Sequence, residues 1–555
     1  MQIGSVERAS TAFEDILIEK STPLEFALTS FKMQFNKYWP LLLLGGFGFL
    51  IRIPWIDIGL PQQYHPDEWA YFTTAFKFIK MNFVNTGVQI PNLFMYLLFA
   101  GYIVTIPVLF LKGDVHSFKE YYASFYAFGD PYLDYANPAF LVTARLVSVV
   151  MTVACGILIG MYVQKRYSRT IALETAAVFY LLPTEFQYSR FGVPDNCLMT
   201  AIFIGIILIL RFIDKPVLLR WIAACSTVVI AASIKVPGAI LIIPLVWGLW
   251  KIRGSSDRTA LIRFGALAIL IFLIGGALLA PNMLFSSVGT SHVAVIIDIL
   301  RSTHGADPEG FRHDSHSTVW QYFYFIYFDY GPVLLGICLI GLYGLCKKPM
   351  KETLVWLMVI VPFFVVFQCA SAKMSRYIIP VTSLFFILAF PAGLERVGAG
   401  KIVKKWFAYV GLLIVLLAYP VYRIALFYSV WSKEDTRLQA RNWLVKHDYS
   451  TRNFAREIHE TPLVPAHYKK PLIENWNCGR YSIGELRKKG IEMLMISSSY
   501  TSFARESHIY KNYQSYFDSL PLIAKFKSDD DNHGLIACNP AIFIFQVPQT
   551  DRGRD

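Results

Sequence analysis

Residues 139–169 read AFLVTARLVSVVMTVACGILIGMYVQKRYSR, an apolar run that ends in a short basic cluster. The apolar part, residues 139–163, is long enough to cross the hydrocarbon core of a bilayer, which takes about 20 residues. Lys165, Arg166 and Arg169 follow it, and basic residues beside a span favour the cytoplasmic side. The stretch therefore predicts a transmembrane helix with one charged residue, Arg145, near its opposite end.

The whole chain repeats this pattern of apolar runs and short basic clusters. It has 555 residues, of which 55% are hydrophobic and 16% are charged, a composition unlike that of soluble domains. The net charge of +13 lies in clusters between the apolar runs, which favours a topogenic role over nucleic-acid binding. Candidate spans lie at residues 38–54, 90–111, 139–163, 170–187, 196–212, 220–234, 236–250, 261–280, 322–346, 353–369, 377–395 and 406–428.

The basic clusters indicate which of these segments cross the membrane. If segment 90–111 does not cross, the clusters that follow the later spans fall on the cytoplasmic side, as the positive-inside rule requires. If it does cross, the same clusters move outside. We therefore predict about eleven crossings, with residues 1–37 in the cytoplasm, no cleavable signal peptide, and residues 55–138 as one external loop. Segment 90–111 becomes an interfacial or re-entrant helix of that loop.

This topology predicts an α-helical polytopic protein of the plasma (inner) membrane, with a transmembrane domain over residues 38–430 and a small external α/β domain over residues 431–555. In the tail, the residue pattern indicates helices near Leu438–Val445 and Tyr510–Leu520 and strands at Met493–Ile496 and Ala541–Val547. The tail also contains Cys478 and Cys538, for which a disulfide and two free thiols remain alternatives.

Ionisable residues within the spans gather at their predicted external ends. Charges inside a membrane are costly and are therefore candidates for function. These residues are Arg145, Arg190, Asp195, Lys235, Asp329, Lys373 and Arg376. They face the same side as Asp67 and Glu68 of the sequence QQYHPDEWAYF, residues 62–72. Alternatively, the cations snorkel to the interface, and the acids stabilise helix starts.

The combination of cations and paired carboxylates suits a reaction on a phosphate-bearing lipid. Lys and Arg bind a phosphate and stabilise it as a leaving group, while a carboxylate accepts the proton of an attacking hydroxyl. Lys235 is followed by Pro237 and Gly238, a pattern typical of a broken helix that lines a cavity. Residues predicted to bind the donor phosphate or substrate are Lys235, Arg376, Arg190, Asp195, Arg145 and Lys373, and the predicted catalytic residues are Asp67 and Glu68.

Two other function classes are compatible with charges in a membrane domain. A lipid-linked sugar flippase would also need them, but such transporters show internal repeats and mid-span charges, whereas here no repeat is visible and the charges gather at one face. An inactive scaffold is the other alternative, and retention of Asp67 and Glu68 argues against it.

Histidines near the same face raise the question of a metal. His304, His313 and His316 lie among acidic residues in the sequence 302–317, and His65 precedes Asp67 by two positions. These side chains suit either a divalent metal ion or contact with the acceptor. Their spacing fits no strict metal motif, so a solvated loop is the competing interpretation.

Several motifs, taken in order, resemble those of the GT-C glycosyltransferases, in the branch of the protein O-mannosyltransferases and the aminoarabinose transferase of lipid A. They are YHPDE (64–68), IPNLFMYLL (90–98), ARLVSVVMTVACGILIGMYVQKRYS (144–168), SRFGVPDN (189–196), SIKVPGAILIIP (233–244) and MSRYIIPVTSLFF (374–386). The resemblance implies a dolichyl- or undecaprenyl-phosphate sugar donor, an outer-face cavity, and inverting transfer to a hydroxyl of a lipid, glycan or protein.

The resemblance also implies roles for individual residues. Asp67 corresponds to the catalytic base and Glu68 to its acidic partner, while Lys235 and Arg376 occupy positions suited to the donor phosphate. The aminoarabinose enzymes have Glu-Lys-Pro where this chain has Gln89-Ile90-Pro91, so one lysine contact and one metal ligand of that branch are lacking here. The sequence also has no Trp-Trp-Asp motif like that of oligosaccharyltransferase catalytic subunits.

Overall fold

The computed structural model covers most of the apolar spans and the sheet of the tail. It describes residues 23–58, 60, 68, 71–72, 74–75, 93–113, 116–117, 138–253, 258–281, 320–347, 351–369, 375–399, 406–457, 472–475, 478–498, 508–527 and 541–549. The predicted site residues His65, Asp67, His304, His313, His316 and Lys373 lie outside the described residues, as does Cys538.

The membrane domain consists of helices whose bounds follow the apolar runs. They are α1 Pro23–Leu50, α2 Leu93–Lys112, α3 Pro138–Gln164, α4 Arg169–Leu181, α5 Pro183–Tyr188, α6 Asp195–Asp214, α7 Leu218–Ile234, α8 Ile242–Ile252, α9 Arg258–Leu279, α10 Trp320–Lys347, α11 Lys351–Cys369, α12 Ile379–Arg396 and α13 Trp406–Trp431. Short 3-10 helices, Val236–Leu241 and Ser375–Ile378, precede α8 and α12. Among the described residues, eight helices are long and apolar enough to cross a membrane.

Helices α1 and α3 pack against each other, and small residues allow their close approach. A Cβ on Gly160 would lie 2.4 Å from Leu41, and one on Gly45 would lie 2.8 Å from Ile157. Residues further along α1 thus meet residues earlier in α3, so the two helices are antiparallel. One predicted span, 170–187, is divided into α4 and α5 at Pro183, which has no backbone N–H to continue the helix.

Ion pairs join the helix ends at the side that carries the basic clusters. Arg166 at the end of α3 binds Glu352 at the start of α11 with N–O distances of 2.8 Å. Lys351 pairs with Asp214 at the end of α6. We call this the basic side, and we call the opposite side, where residues 51–58 and 189–196 meet, the site side.

Helix α2 tests the predicted topology most directly. By length and composition alone it could cross the membrane, whereas the charge pattern predicts that it does not. It packs beside α3, where Thr105 Oγ1 lies 2.6 Å from Thr143 Oγ1. Arg145 of α3 donates to the carbonyl oxygens of Ile56 and Ile58, just beyond α1. The end of α1 and the start of α3 thus lie on the same side, which favours the predicted non-crossing placement of α2.

The C-terminal domain is a five-stranded sheet with helices on both faces. The strands are β1 Phe454–Glu457, β2 Ile473–Asn475, β3 Met493–Ser497, β4 Leu522–Phe526 and β5 Ile542–Gln546, and the helices are α14 Thr436–Lys446, α15 Ile483–Lys488 and α16 His508–Ser519. The strand order is β2-β1-β3-β5-β4, with β1 parallel to β2 and β3, and β5 antiparallel to β3 and β4.

Alternate residues of β3 enter different cores on the two faces of this sheet. Met493 and Met495 pack with α14, while Leu494 and Ile496 pack with α15 and α16. The predicted small α/β domain is therefore confirmed, together with both predicted helices and both predicted strands. Cys478 is a free thiol in this domain, and burial raises its pKa well above the ordinary value.

Candidate active site

The segment SRFGVPDN, residues 189–196, is the centre of the site side. It joins α5 to α6, and all of its residues are buried. We call it the connecting segment. Its first residue, Ser189, accepts a hydrogen bond of 2.8 Å from Arg52 Nε, and Arg52 also donates to the carbonyl oxygens of Gly48 and Tyr180. The end of α1 is thereby attached to the start of the connecting segment.

Glu68 and Arg145 form a buried ion pair against the same segment. Arg145 Nε lies 2.7 Å from Glu68 Oε1, and Nη2 lies 2.8 Å from Oε2. The backbone N–H of Gly192 donates to Oε1 at 2.8 Å. Both side chains are 0% exposed. This two-pronged geometry, with added hydrogen bonds, is the arrangement that makes a buried ion pair tolerable.

The hydrogen bonds of this pair bear on two predicted roles. Arg145 uses Nε and Nη2 on Glu68 and Nη1 on the carbonyl oxygens of Ile56 and Ile58, at 2.7 and 2.8 Å. This geometry favours a structural partner of Glu68 over the predicted phosphate ligand. Both oxygens of Glu68 already accept hydrogen bonds, which favours a positioning role over proton transfer.

Gly192 is required by the close packing at this point. A Cβ placed there would lie 2.9 Å from the Cβ of Ala144 and 3.4 Å from Glu68 Oε1. The connecting segment therefore runs directly against α3, and the absence of a side chain allows the Gly192 N–H to reach the carboxylate.

A second ion pair, between Asp195 and Lys235, lies at the other end of the connecting segment. Asp195 is the first residue of α6 and is buried, and its Oδ1 lies 2.7 Å from Lys235 Nζ. The Lys235 side chain is 21% exposed. Its backbone is extended, with φ −158° and ψ 136°, between the end of α7 and the following 3-10 helix. The helix break predicted from Pro237 and Gly238 is therefore present.

Tyr377 brings Arg376 to the same cluster. Lys235 Nζ lies 5.3 Å from the centre of the Tyr377 ring, and the guanidinium carbon of Arg376 lies 5.1 Å from it. Arg376 is 8% exposed. We call Lys235 and Arg376 the cation pair. The structure thus brings together three of the residues predicted for donor binding, Asp195, Lys235 and Arg376, around an aromatic ring that the sequence analysis did not single out.

Arg190 lies in a different, aromatic environment. Its guanidinium carbon is 4.1 Å from the ring centre of Trp431, 5.7 Å from that of Tyr428 and 5.9 Å from that of Phe186. It also donates to the carbonyl oxygen of Pro54. These contacts join the end of α13 to the connecting segment and favour a structural role over the predicted substrate contact.

Two further acids are buried beside α5. Asp329 of α10 accepts a 2.8 Å hydrogen bond from the backbone N–H of Thr184, at the start of α5. Glu185 accepts hydrogen bonds from Ser383 Oγ and from Asn196 Nδ2, the latter at 3.0 Å. The sequence analysis noted Asp329 but missed Glu185, although an acid within the predicted span 170–187 was a visible signal.

A metal site remains a prediction. In the part of the chain that the structure describes, no group of three or more His, Cys, Asp or Glu side chains is placed to hold an ion. The four histidines proposed as ligands fall outside that part.

Comparison with known proteins gives a fold. No family model and no curated protein matches the sequence. The oligosaccharyltransferase AglB from Archaeoglobus fulgidus, solved with an inhibitory peptide and a dolichol-phosphate, is similar with a TM-score of 0.50 and 11% identity, over 86% of this chain and 72% of that one. ArnT from Cupriavidus metallidurans is 13% identical, with a TM-score of 0.48 in the apo state, over 94% and 100% of the two chains.

The archaeal oligosaccharyltransferase is a GT-C glycosyltransferase. At this identity, the likeness to the archaeal oligosaccharyltransferase shows a shared fold. The GT-C fold implied by the sequence motifs is therefore confirmed, and the chain is a multi-pass membrane protein.

Proposed function

We propose that this protein transfers a monosaccharide from a polyprenyl phosphate to an acceptor hydroxyl, with the reaction on the site side of the membrane domain. The observation that carries the proposal is the cation pair. Two cations lie close to one aromatic ring, and one of them, Lys235, is partly exposed beside a buried carboxylate. Such a cluster binds a phosphate and stabilises the negative charge that it gains on leaving.

Glu68 contributes to this proposal by holding the chain next to Asp67. Its carboxylate is held by Arg145 and Gly192, and we propose that this contact positions the preceding residue. Asp67 is then the base that accepts the proton of the acceptor hydroxyl. The acceptor oxygen forms a bond to the anomeric carbon as the bond from that carbon to the phosphate oxygen breaks. The polyprenyl phosphate leaves as an anion next to the cation pair, and the sugar configuration inverts.

The GT-C fold supports this proposal. The structure of the archaeal oligosaccharyltransferase contains a dolichol-phosphate, a lipid phosphate of the class proposed here. The acceptor class, whether lipid, glycan or protein, stays open.

The release of polyprenyl phosphate tests the proposal against the flippase alternative. A flippase moves the lipid-linked sugar without breaking the bond between sugar and phosphate. Membranes containing this protein are supplied with radiolabelled polyprenyl-phosphate sugars and envelope acceptors, and the lipid products are separated. We expect labelled sugar to move to an acceptor as free polyprenyl phosphate appears. Transport of intact donor across vesicles, with no such release, would support the flippase.

We further propose that the site side is external and the N-terminus cytoplasmic. Cys346, an exposed residue near the basic end of α10, offers a test. In a variant that keeps Cys346 as its only cysteine, we expect impermeant thiol reagents to label it from the cytoplasmic side alone. Labelling from outside in intact cells would reverse the proposed orientation.

A further inference from the structure

A buried polar network includes Asn196, the last residue of the connecting segment. Glu185 of α5 accepts hydrogen bonds from Ser383 of α12 and from Asn196 of α6. Asn196 Nδ2 also donates to Thr152 Oγ1 of α3 at 2.8 Å. All four side chains are buried. We call this network the Glu185 bridge; the carboxylate joins α5 to α6 and α12, and Asn196 extends the network to α3.

The bridge connects α6, whose Asp195 binds Lys235, to α12, whose leading 3-10 helix carries Arg376. Asn196 directly follows Asp195, which holds Lys235. Ser383 lies seven residues after Arg376, about two helical turns along α12 and its leading 3-10 helix. Glu185 is bonded to both Asn196 and Ser383. It therefore links the position of Lys235, through Asp195, to the position of Arg376.

Burial of the Glu185 carboxylate is costly, so packing alone does not explain why an acid lies at this position. A carboxylate taken out of water is unfavourable unless hydrogen bonds replace its hydration, and an apolar side chain of similar volume is often equally stable or more so. A satisfied polar network does, however, fix one arrangement of the helices it joins. That property is valuable where two cations on different helices must hold one phosphate.

We propose that Glu185 is a positioning residue that sets the separation of Lys235 and Arg376 and thereby the affinity for the donor phosphate. This inference rests on the proposed function. Glu185 touches neither cation in the described contacts and acts through Asn196 and Ser383. Because misplacement of binding groups by about 1 Å is enough to reduce a rate about a hundredfold, a change in the bridge is expected to be visible in donor binding.

Glu185→Ala, Glu185→Gln and the control Glu174→Ala test the inference. Glu174 is also a buried acid, in α4, but lies about three helical turns earlier in the chain. The measurements are kcat, the KM for the donor, the dissociation constant of polyprenyl phosphate by native mass spectrometry, and thermal unfolding. A merely structural acid alters unfolding but leaves the KM and the dissociation constant of the folded fraction unchanged.

We expect Glu185→Ala to raise the donor KM and the dissociation constant about tenfold or more, with a smaller change in kcat. Glu185→Gln is expected to stay within about threefold of the native values, because its amide keeps one acceptor oxygen and the Ser383 hydroxyl is able to accept as well as donate. Glu174→Ala is expected to leave both constants unchanged. Native constants in Glu185→Ala, or an equal rise in Glu174→Ala, would overturn the inference.

Ser383→Ala keeps the test decisive if Glu185→Ala does not fold. It removes one hydrogen bond and leaves the carboxylate with Asn196, so we expect a rise of severalfold in the donor KM, and an unchanged KM would overturn the positioning role. Failure of the native protein to bind polyprenyl phosphate would overturn the proposed function and this role together. Native binding that Glu185→Ala retains in full would overturn the positioning role alone.

Discussion

The two ion pairs that contact the connecting segment have the same N–O distance but different surroundings. Glu68–Arg145 and Asp195–Lys235 each have an N–O distance of 2.7 Å. The first pair is 0% exposed on both sides, whereas Lys235 of the second is 21% exposed. Arg145 directs Nε, Nη1 and Nη2 at protein oxygens, while Lys235 has one ion-pair partner among the described residues.

The difference indicates that one ion pair has a structural role and the other is able to bind a ligand. The buried pair holds backbone in place, because four of the five N–H groups of Arg145 donate to protein oxygens. A partly exposed pair can accept a further anion. The N–O distance does not distinguish the two pairs. They differ in the number of N–H groups that donate to protein oxygens and in the exposure of the cation.

Replacement of Asp67 is expected to have the largest effect, because Asp67 is the proposed base, whereas Glu68 is proposed to position it. Asp67→Asn should lower transfer by a factor of about 10² to 10⁴, the usual contribution of a general base, while polyprenyl phosphate still binds. The measurement is single-turnover transfer in detergent. Asp57→Asn, at an exposed acid just after α1, is the control and should be near native. Near-normal turnover by Asp67→Asn would remove the proposed base.

Replacement of Arg145 tests the buried pair. Arg145→Ala leaves Glu68 buried without its cation, so the free energy of unfolding should fall by about 3 to 5 kcal/mol. The matched control is Arg166→Ala on the basic side, whose pair with Glu352 is partly exposed and is expected to contribute at most about 1 kcal/mol. Both are measured by denaturant unfolding in detergent. Equal losses in the two variants would contradict a special role for the buried pair.

Replacement of Lys235 tests the partly exposed pair. Lys235→Ala should raise the donor KM by about tenfold to a hundredfold, the value of a charge-assisted hydrogen bond. Its effect on unfolding should be smaller, about 1 kcal/mol, because water reaches the vacated position and the N-terminus of α6 still stabilises Asp195. The contrary result would be a loss of stability in Lys235→Ala as large as that in Arg145→Ala, with donor affinity unchanged in the folded fraction. The two ion pairs would then have the same structural role.

Replacement of Gly192 tests the contact between the connecting segment and α3. Gly192→Ala places a methyl group 2.9 Å from Ala144, and overpacking of this kind costs about 1 to 3 kcal/mol. Gly265→Ala in α9, where a Cβ meets nothing within 4 Å, is the control and should be neutral or slightly stabilising. Thermal unfolding of the two variants gives the comparison. A neutral Gly192→Ala would show that the segment can shift away from α3.

Most of the helices could be predicted from the sequence, because the apolar run and the basic cluster that mark a membrane helix lie within or beside the segment itself. The sequence also predicted the break at Lys235, since Pro237 and Gly238 follow directly. The break at Pro183 was missed, because the apolar run continues across it. In the tail, β1 was missed because the sequence FARE shows no alternation and all four residues are buried.

The partners of the charged residues could not be predicted from local sequence patterns. Arg145 was placed among the phosphate ligands, and its bond to Glu68 joins residues 77 positions apart. Arg190 was treated in the same way, and its aromatic enclosure includes Trp431 from the last membrane helix. Such pairings depend on which helices become neighbours, and charge and hydropathy along one chain do not specify that.

The contact between Arg190 and Trp431 limits how the tail can be exchanged in protein engineering. Trp431 ends α13, and residues 432–435 alone separate it from α14, the first helix of the C-terminal domain. A chimaera joined before residue 431 would lose the indole that covers Arg190, two positions from Gly192. A junction placed within residues 432–435 would preserve it. Grafted tails are therefore expected to retain a working membrane core only when the splice point lies beyond Trp431.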